Sequence, residues 1–353
     1  MRRDYAGSVG RRLLWATLAV APATMLVHFV AHPGDAFDFV ASAVALVPLA
    51  WLIGEATEHA AHHTGPGIGG FLNATFGNAP ELIISLFAVS DGLTVVVRGS
   101  LTGSVVGNLL LVLGFSLLFG RPGEVDRLSS LVSLGMVATA TLLFLVPAVG
   151  AWDGDPDRHS LAVVSIPIAA VLPVVYLGAQ WFQLRRHHGL HVVEEREQGW
   201  RLGSALAALG VATAATAIIA EILVGSLESF AEEIGWSDFF VAVVVVAIVG
   251  NAAEHGGAVV VARRGRIKLA TEIALASSAQ VAVFLVPAVA ILSWAIEPLS
   301  LAFGNVEILV LGLSTLLAAA LLADGRATRA RGAALVGAYA AAVAVFGVWG
   351  TRF

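Results

Sequence analysis

Apolar runs of about twenty residues follow one another along the chain, separated by short charged or Gly/Pro-rich stretches. Of the 353 residues, 58% are hydrophobic and only 13% are charged, whereas soluble proteins carry roughly 25% charged residues. So few charges cannot cover a water-exposed surface, and a bilayer span needs about 20 apolar residues. We therefore predict an all-α integral membrane protein surrounded by lipid. Its eleven transmembrane helices are predicted at 13–30, 37–57, 69–90, 98–119, 129–150, 160–182, 202–224, 236–262, 269–292, 303–323 and 332–350.

The Lys and Arg residues predict how these helices are oriented, because cytoplasmic loops are enriched in them. With eleven spans and a cytoplasmic N-terminus, seventeen of the twenty basic residues fall on the cytoplasmic side. Only Arg98, Arg158 and Arg352 fall outside. We expect the N-terminus inside and the C-terminus outside. The short loops and the lack of a clear signal-peptide cleavage site favour a prokaryotic cytoplasmic (inner) membrane.

Composition also narrows the function. The chain has no cysteine, which excludes disulfides, thiolate metal sites and a cysteine nucleophile. Its net charge of −5 is mild and gives no reason to expect a nucleic-acid partner. We expect neither an enzyme nor a bound cofactor, and the oligomeric state is left open.

A Gly-Asn-x-x-Glu motif occurs twice, at residues 77–81 in the third predicted span and at 250–254 in the eighth. The two copies are 173 residues apart, and a polar patch follows each at a matched distance. Glu81 precedes Asn108 by 27 residues, and Glu254 precedes Gln280 by 26. Helices five spans apart cross the membrane in opposite directions, so the pattern predicts inverted repeats. The expected divisions are an N-terminal segment with helix 1 (1–36), a first five-helix repeat (37–182), a cytoplasmic linker (183–201) and a second five-helix repeat (202–353).

Two glutamates inside apolar helices predict a site that binds cations. A charged group at the bilayer centre costs at least about 2.5 kcal/mol, and two carboxylates facing one cavity repel each other. Either protons or a cation relieve this repulsion, and that competition is the basis of exchange. Oxygen ligands and a charge of −2 favour Ca²⁺, with Mn²⁺ as an alternative. The candidate metal ligands are Glu81, Glu254, Asn78, Asn251, Asn108, Gln280, Ser104, Ser277 and Ser278, and the candidate proton-coupling residues are Glu81, Glu254 and His255.

Each of these residues also has a structural interpretation. The glutamates can form a buried structural pair, and the amides and hydroxyls can simply join helices by hydrogen bonds. Glu58 and Glu228, which lie 23 and 26 residues before the motif glutamates, are secondary candidates. Glu58 belongs to a cluster with four neighbours for which metal binding, pH sensing and a solvated helix end are all open readings. These neighbours are Glu55, His59, His62 and His63.

At these motifs the chain resembles the calcium/proton antiporters of the cation/calcium exchanger superfamily. Residues 72–83 look like the first signature of that family, and residues 250–255 with 277–280 look like the second. The resemblance covers nearly the whole chain. It implies that Glu81 and Glu254 bind cation and protons in turn, with Asn78 and Asn251 as oxygen ligands.

Three other functions compete with this reading. Pro80 is reminiscent of the sodium/calcium branch, so a Na⁺- or K⁺-coupled cation/calcium exchanger is the alternative. A channel and an intramembrane metalloprotease explain less, because neither requires one motif twice in opposite orientation.

Overall fold

The computed structural model describes residues 15–152, 154–187 and 200–350. Nearly all of this part is helical, because long apolar segments satisfy their backbone hydrogen bonds internally only as helices. One two-residue ladder, β1 (Gly123–Glu124) with β2 (Arg326–Ala327), is antiparallel. The helices are α1 (Val20–Ala31), α2 (Asp35–Phe76), α3 (Ala79–Ser90), α4 (Thr94–Phe119), α5 (Arg127–Ala151), α6 (His159–His187), α7 (Leu202–Gly225), α8 (Leu227–Ile234), α9 (Asp238–Gly250), α10 (Ala252–Arg263), α11 (Ile267–Ala295), α12 (Asn305–Leu322) and α13 (Arg329–Trp349).

In the part of the chain that is described, eight helices are long and apolar enough to cross a membrane. The count becomes nine if α8 and α9, which meet at 107°, form one bent span. This is fewer than the eleven predicted, because three of the predicted spans are short or broken. The first is a 17-residue apolar helix, Trp15–Ala31. The third is divided between the end of α2 and α3, and the eighth between α9 and α10.

Helix α2 bends sharply where the sequence predicts a loop between the second and third spans. In a straight helix, eight residues rise about 12 Å. Yet a Cβ atom built on Gly69 would lie only 3.1 Å from the Cβ of Ala61. The helix must therefore turn back on itself between these residues, where the sequence reads Gly65-Pro66-Gly67. Proline and glycine are the usual residues at such bends.

Helices α4 and α9 approach until their backbones touch. Three glycines recur every fourth residue on α4, at Gly99, Gly103 and Gly107. A Cβ on Gly103 would lie 2.0 Å from the carbonyl oxygen of Val243 and 2.7 Å from the Cβ of Ala247. Small residues at this spacing are the usual means of close helix contact in membranes. The contact places the polar patch of α4 beside the break that follows α9.

In the described part of the chain, three helices contain a short π-helical segment, and two of these segments lie at predicted ligands. These segments are Gly107–Val112 in α4, Val241–Val246 in α9 and Val281–Leu285 in α11. Asn108 lies within the first of them, and Gln280 directly precedes the third. Such wide turns recur at functional sites because they redirect side chains within an otherwise regular helix.

An ion pair between buried Arg98 and partly exposed Asp157 fixes the loop between α5 and α6 to the start of α4. The side chain of Arg98 is only 1% exposed, and its Nη1 donates to Oδ1 of Asp157 at 2.7 Å. Thr94 donates to Oδ2 of Asp157 at 2.9 Å. Burial alone would raise the pKa of Asp157, but the hydrogen bond and charge of Arg98, together with Thr94, hold this pKa below its ordinary value of 3.8. Arg98, which the sequence places outside the cytoplasm, is thus neutralised within the fold.

Replacing Asp157 by Asn should lower the thermal stability of the purified protein at neutral pH. Leaving one partner of a fully buried pair alone costs about 3–5 kcal/mol, and we expect about 1–3 kcal/mol here because the Asp157 side chain is 38% exposed. Since the folded-state pKa is depressed, the stabilisation is complete above the ordinary pKa and is lost as pH falls through the folded value. The difference in melting temperature between wild type and variant should therefore stay constant above about pH 5 and vanish in strong acid. Exposed Asp91 is the control for the same substitution. A difference that persists in strong acid would show that the ion pair is not its source.

Candidate cation-binding site

The two Gly-Asn-x-x-Glu motifs lie at two helix breaks with the same local geometry. Asn78 separates α2 from α3 and Asn251 separates α9 from α10, with similar non-helical backbone angles (φ −107°, ψ 21° and φ −93°, ψ 6°). Each asparagine donates its side-chain amide to the carbonyl oxygen four residues back. The distances are 3.3 Å from Asn78 to Ala74 and 2.9 Å from Asn251 to Ala247. The two copies of the motif therefore share a hydrogen-bond pattern at their breaks as well as a sequence.

The motif glutamates lie in the first turns of the helices that follow the breaks, Glu81 in α3 and Glu254 in α10. Helix N-termini stabilise negative charge through the helix dipole and the free backbone N–H groups. A Cβ on Gly250 would lie 3.1 Å from Cγ of Glu81. The carboxylate-bearing side chain of the first motif thus packs directly on the glycine of the second, and the two motifs are in contact.

A chain of side-chain hydrogen bonds joins the polar patches to the second break. Asn251 Nδ2 donates to Ser104 Oγ at 2.8 Å. Asn108 Nδ2 donates to Ser277 Oγ at 3.0 Å and to Asn251 Oδ1 at 3.4 Å. Ser277 in turn donates to Oε2 of Glu254. Four predicted ligands from α4, α11 and the second break are thus connected to one of the two glutamates.

Three buried oxygen atoms at this site have no hydrogen-bond partner within the described residues: Oδ1 of Asn78, Oδ1 of Asn108 and Oε2 of Glu81. Asn78 and Asn108 are 1% exposed and Glu81 is 7% exposed. An unsatisfied buried acceptor costs about 1–3 kcal/mol, so such atoms are expected where a ligand or water completes the site. Carboxylate and amide oxygens are the donors that Ca²⁺ prefers.

Carboxylates and imidazoles alone do not form a metal site here. Across residues 15–152, 154–187 and 200–350, no group of three or more His, Cys, Asp or Glu side chains is placed to hold a metal ion. A cation bound at Glu81 and Glu254 would therefore depend on amide, hydroxyl and carbonyl oxygens as well. The sequence-predicted set supplies these oxygens.

A cavity of about 550 Å³ reaches the second glutamate from one side of the protein. Glu254 and Gly250 form part of its inner wall, while Glu55, Glu58 and His62 of α2 line it further out. Glu81 packs behind Gly250 and is 7% exposed. Only one of the two glutamates thus faces the cavity, and the predicted topology places its mouth at the cytoplasm.

The two secondary candidates, paired by sequence spacing, have different surroundings. Glu58 lines the cavity with its side chain 74% exposed, and its carboxylate lies 4.0 Å from His62. Glu55 is similarly placed 3.6 Å from His59. Glu228 lies exposed in the first turn of α8, away from the residues that line this cavity. The structure therefore brings Glu58, and not Glu228, to the path that leads to the site.

Two further candidates and one unpredicted residue complete the surroundings. Ser278 donates to the carbonyl oxygen of Ala274 in its own helix. This bond fits the structural interpretation of Ser278, in which its hydroxyl forms a hydrogen bond without contacting a cation. His255 follows Glu254, and its Nε2 is buried without a partner among the described residues. Gln280 contacts the first break and accepts a hydrogen bond from Tyr176 of α6. Tyr176 is one of three tyrosines in the chain, and its rarity in an apolar helix is the only signal that sequence reasoning could have used.

Comparison with known proteins identifies the family. The sodium/calcium exchanger protein family matches residues 36–185 and again residues 204–348. The chain belongs to this family. It is therefore an integral membrane protein and a transporter, not an enzyme.

Several members of the family are similar over most of their length. The Ca²⁺/H⁺ antiporter ChaA of Bacillus subtilis is 37% identical over 93% of this chain and 97% of its own. The Ca²⁺/H⁺ antiporter of Aphanothece halophytica is 33% identical over 93% and 94%. The predicted resemblance to calcium/proton antiporters is thus confirmed.

Solved structures of exchangers have the same fold. The structure of YfkE superposes with a TM-score of 0.80 at 34% identity, covering 95% of this chain and 98% of that chain. An H⁺/Ca²⁺ exchanger named CAX matches with a TM-score of 0.72 over 96% and 92% of the two chains. Its identity is 18%, so this second likeness concerns the fold alone.

Proposed function

We propose that the protein is a secondary active antiporter that exchanges Ca²⁺, or a similar divalent cation, for protons by alternating access. The observation that carries this proposal is the packing of Glu81 against Gly250, which joins two helix breaks into one site. The buried oxygens of Asn78 and Asn108 without partners support cation binding there. Antiporters of this type, named for Ca²⁺ and H⁺, are similar to the chain over nearly its full length.

The electrostatics of two buried carboxylates explain how exchange can be coupled. With both Glu81 and Glu254 ionised and no ligand, the site holds a charge of −2 in a low-dielectric interior, which is costly. One divalent cation or two protons neutralise it. The loaded forms can therefore reorient across the membrane, whereas the empty form cannot. Under this scheme His255 relays protons to and from Glu254.

The ligand set of the proposal combines both halves of the chain. Asn78 and Asn251 stand at the breaks, and Asn108 donates hydrogen bonds to both Asn251 and Ser277. Glu58 acts at the cavity mouth, where carboxylates raise the local concentration of cations. Mn²⁺ is the alternative cargo. The remaining proposed ligands are Ser104, Ser278 and Gln280.

We further propose eleven spans arranged as α1 followed by two inverted five-helix repeats, 37–182 and 202–353, with 183–201 as a cytoplasmic linker. Two separate matches of one family, at 36–185 and 204–348, support this division. The distribution of basic residues predicts that the N-terminus lies in the cytoplasm and the C-terminus outside. The cavity then faces the cytoplasm of a prokaryotic cell, and the direction of transport is set by the ion gradients.

Ion flux in proteoliposomes tests the proposed function. We expect uptake of ⁴⁵Ca²⁺ when an outward proton gradient is imposed, release of protons when Ca²⁺ is added, and no dependence on Na⁺ or K⁺. Empty liposomes and a collapsed pH gradient are the controls. Uptake driven by a Na⁺ gradient at equal pH would establish the Na⁺-coupled alternative instead. Passive current without uphill uptake would contradict antiport altogether.

A further inference from the structure

We propose that Tyr176 is a positioning residue. It acts through Gln280 to orient Oδ1 of Asn78, the oxygen proposed to bind the cation. The inference rests on the proposed function of the site. It concerns a residue of α6, a helix that carries neither motif. Three successive contacts lead from its hydroxyl group to the first helix break.

The first contact determines which end of the Gln280 amide faces the break. Tyr176 is 4% exposed, and its hydroxyl donates to Oε1 of Gln280 at 3.2 Å. A glutamine amide has one accepting and one donating end. Because the hydroxyl binds the oxygen, Nε2 of Gln280 points to the opposite side.

The second contact holds the carbonyl groups at the end of α2. Nε2 of Gln280 donates to the carbonyl oxygens of Asn73 at 3.4 Å and Ala74 at 3.3 Å. The carbonyl oxygen of Asn73 also accepts the backbone N–H of Gly77, so the donor from α11 adds a further hydrogen bond at the end of α2. If the Gln280 amide turned over, its oxygen would face these carbonyl oxygens and repel them.

The third contact passes from the carbonyl group to the candidate ligand. The carbonyl oxygen of Ala74 also accepts from Nδ2 of Asn78 at 3.3 Å. With Nδ2 committed there, Oδ1 of Asn78 is the end left for a cation, and it is buried without a partner among the described residues. The position of this oxygen therefore depends on an amide that Tyr176 holds in one orientation.

The second helix break is held by contacts that include neither Tyr176 nor Gln280. Nδ2 of Asn251 donates to both Ala247 and Ser104, and its Oδ1 accepts from Asn108. Those contacts come from α9 and α4. Removing the Tyr176 hydroxyl should therefore weaken cation binding at Asn78.

The test is ⁴⁵Ca²⁺ uptake by reconstituted Tyr176→Phe, which loses only the hydroxyl. We expect the Ca²⁺ concentration for half-maximal uptake to rise about three- to tenfold, the equivalent of one hydrogen bond. Maximal uptake should stay within about twofold, because a positioning defect of this kind is removed once cation is saturating. Tyr339→Phe is the matched control, since Tyr339 is partly buried in α13 and its hydroxyl makes none of the contacts described for the site.

A double-variant measurement separates positioning from general stability. If Tyr176 acts through Gln280, adding Tyr176→Phe to Gln280→Ala should change half-saturation no further. Equal half-saturation in Tyr176→Phe and wild type would overturn the inference, as would fully additive effects of the two substitutions. If wild type exchanges Ca²⁺ for protons and Tyr176→Phe is indistinguishable from it, only this inference fails. If wild type shows no exchange, the proposed function fails.

Discussion

Glu81→Gln and Glu254→Gln should each reduce proton-driven Ca²⁺ uptake by about 100-fold or more, the equivalent of about 3 kcal/mol. Glutamine keeps the size and hydrogen-bonding capacity of the side chain but removes its charge and its titrating proton. A site with one remaining carboxylate neither neutralises a divalent cation nor carries two protons. Initial rates of uptake in proteoliposomes, normalised to the amount of reconstituted protein, measure the effect.

Glu221→Gln provides the matched control for this pair. Glu221 lies on an exposed face of α7, within an apolar helix but apart from both breaks. The same chemical change there should leave uptake near the wild-type rate. Substantial proton-driven uptake by either motif variant would refute the proposed mechanism, whatever the control shows.

Gly103→Ala should prevent the protein from folding stably or lower its melting temperature strongly. The added methyl group would lie 2.0 Å from the carbonyl oxygen of Val243, a backbone atom that cannot rotate away. Overpacking of a core by flexible side chains costs about 1–3 kcal/mol, and we expect a larger effect against backbone. Separation of α4 from α9 would also stretch the 2.8 Å hydrogen bond between Ser104 and Asn251. The yield of monodisperse protein and its melting temperature in detergent measure the outcome.

Gly107→Ala is the control that the glycine row itself provides. Gly107 lies one turn beyond Gly103 in the same helix, yet a Cβ there meets no atom within 4 Å. The loss of glycine flexibility and the added methyl are the same in both variants. If Gly107→Ala were as damaging as Gly103→Ala, the close approach of α4 and α9 would not be the cause.

Apolar periodicity predicted most helices, because lipid imposes one simple requirement on every span. The run predicted at 98–119 is observed at Thr94–Phe119, and that at 129–150 is observed at Arg127–Ala151. The breaks at Asn78 and Asn251 interrupt the third and eighth spans where the sequence has glycine and asparagine. The repeated motif marked both positions, but the apolar pattern alone predicted each of these spans as one continuous helix.

The contacts between distant helices could not be derived in this way. Tyr176 meets Gln280 across 104 positions of sequence, and no local pattern in α6 indicates which helix it will face. Similar spacings of 23 and 26 residues made Glu58 and Glu228 look equivalent, but Glu58 lines the cavity whereas Glu228 lies exposed on α8. Such placement depends on how helices pack, which a single sequence does not encode in any short window.

The backbone contact along the glycine row of α4 has a mechanical consequence. Where side chains separate two helices, small rotamer changes can accommodate a shift of one helix against the other. Gly103 packs directly on the backbone of Val243, so no side chain there can adjust. Helices α4 and α9 are therefore expected to move together as one rigid unit, or to slide past each other along the glycine row of α4 without separating. The deformation that alternately opens the site is then expected to be concentrated at the two breaks, where Asn78 and Asn251 are proposed to bind the cation.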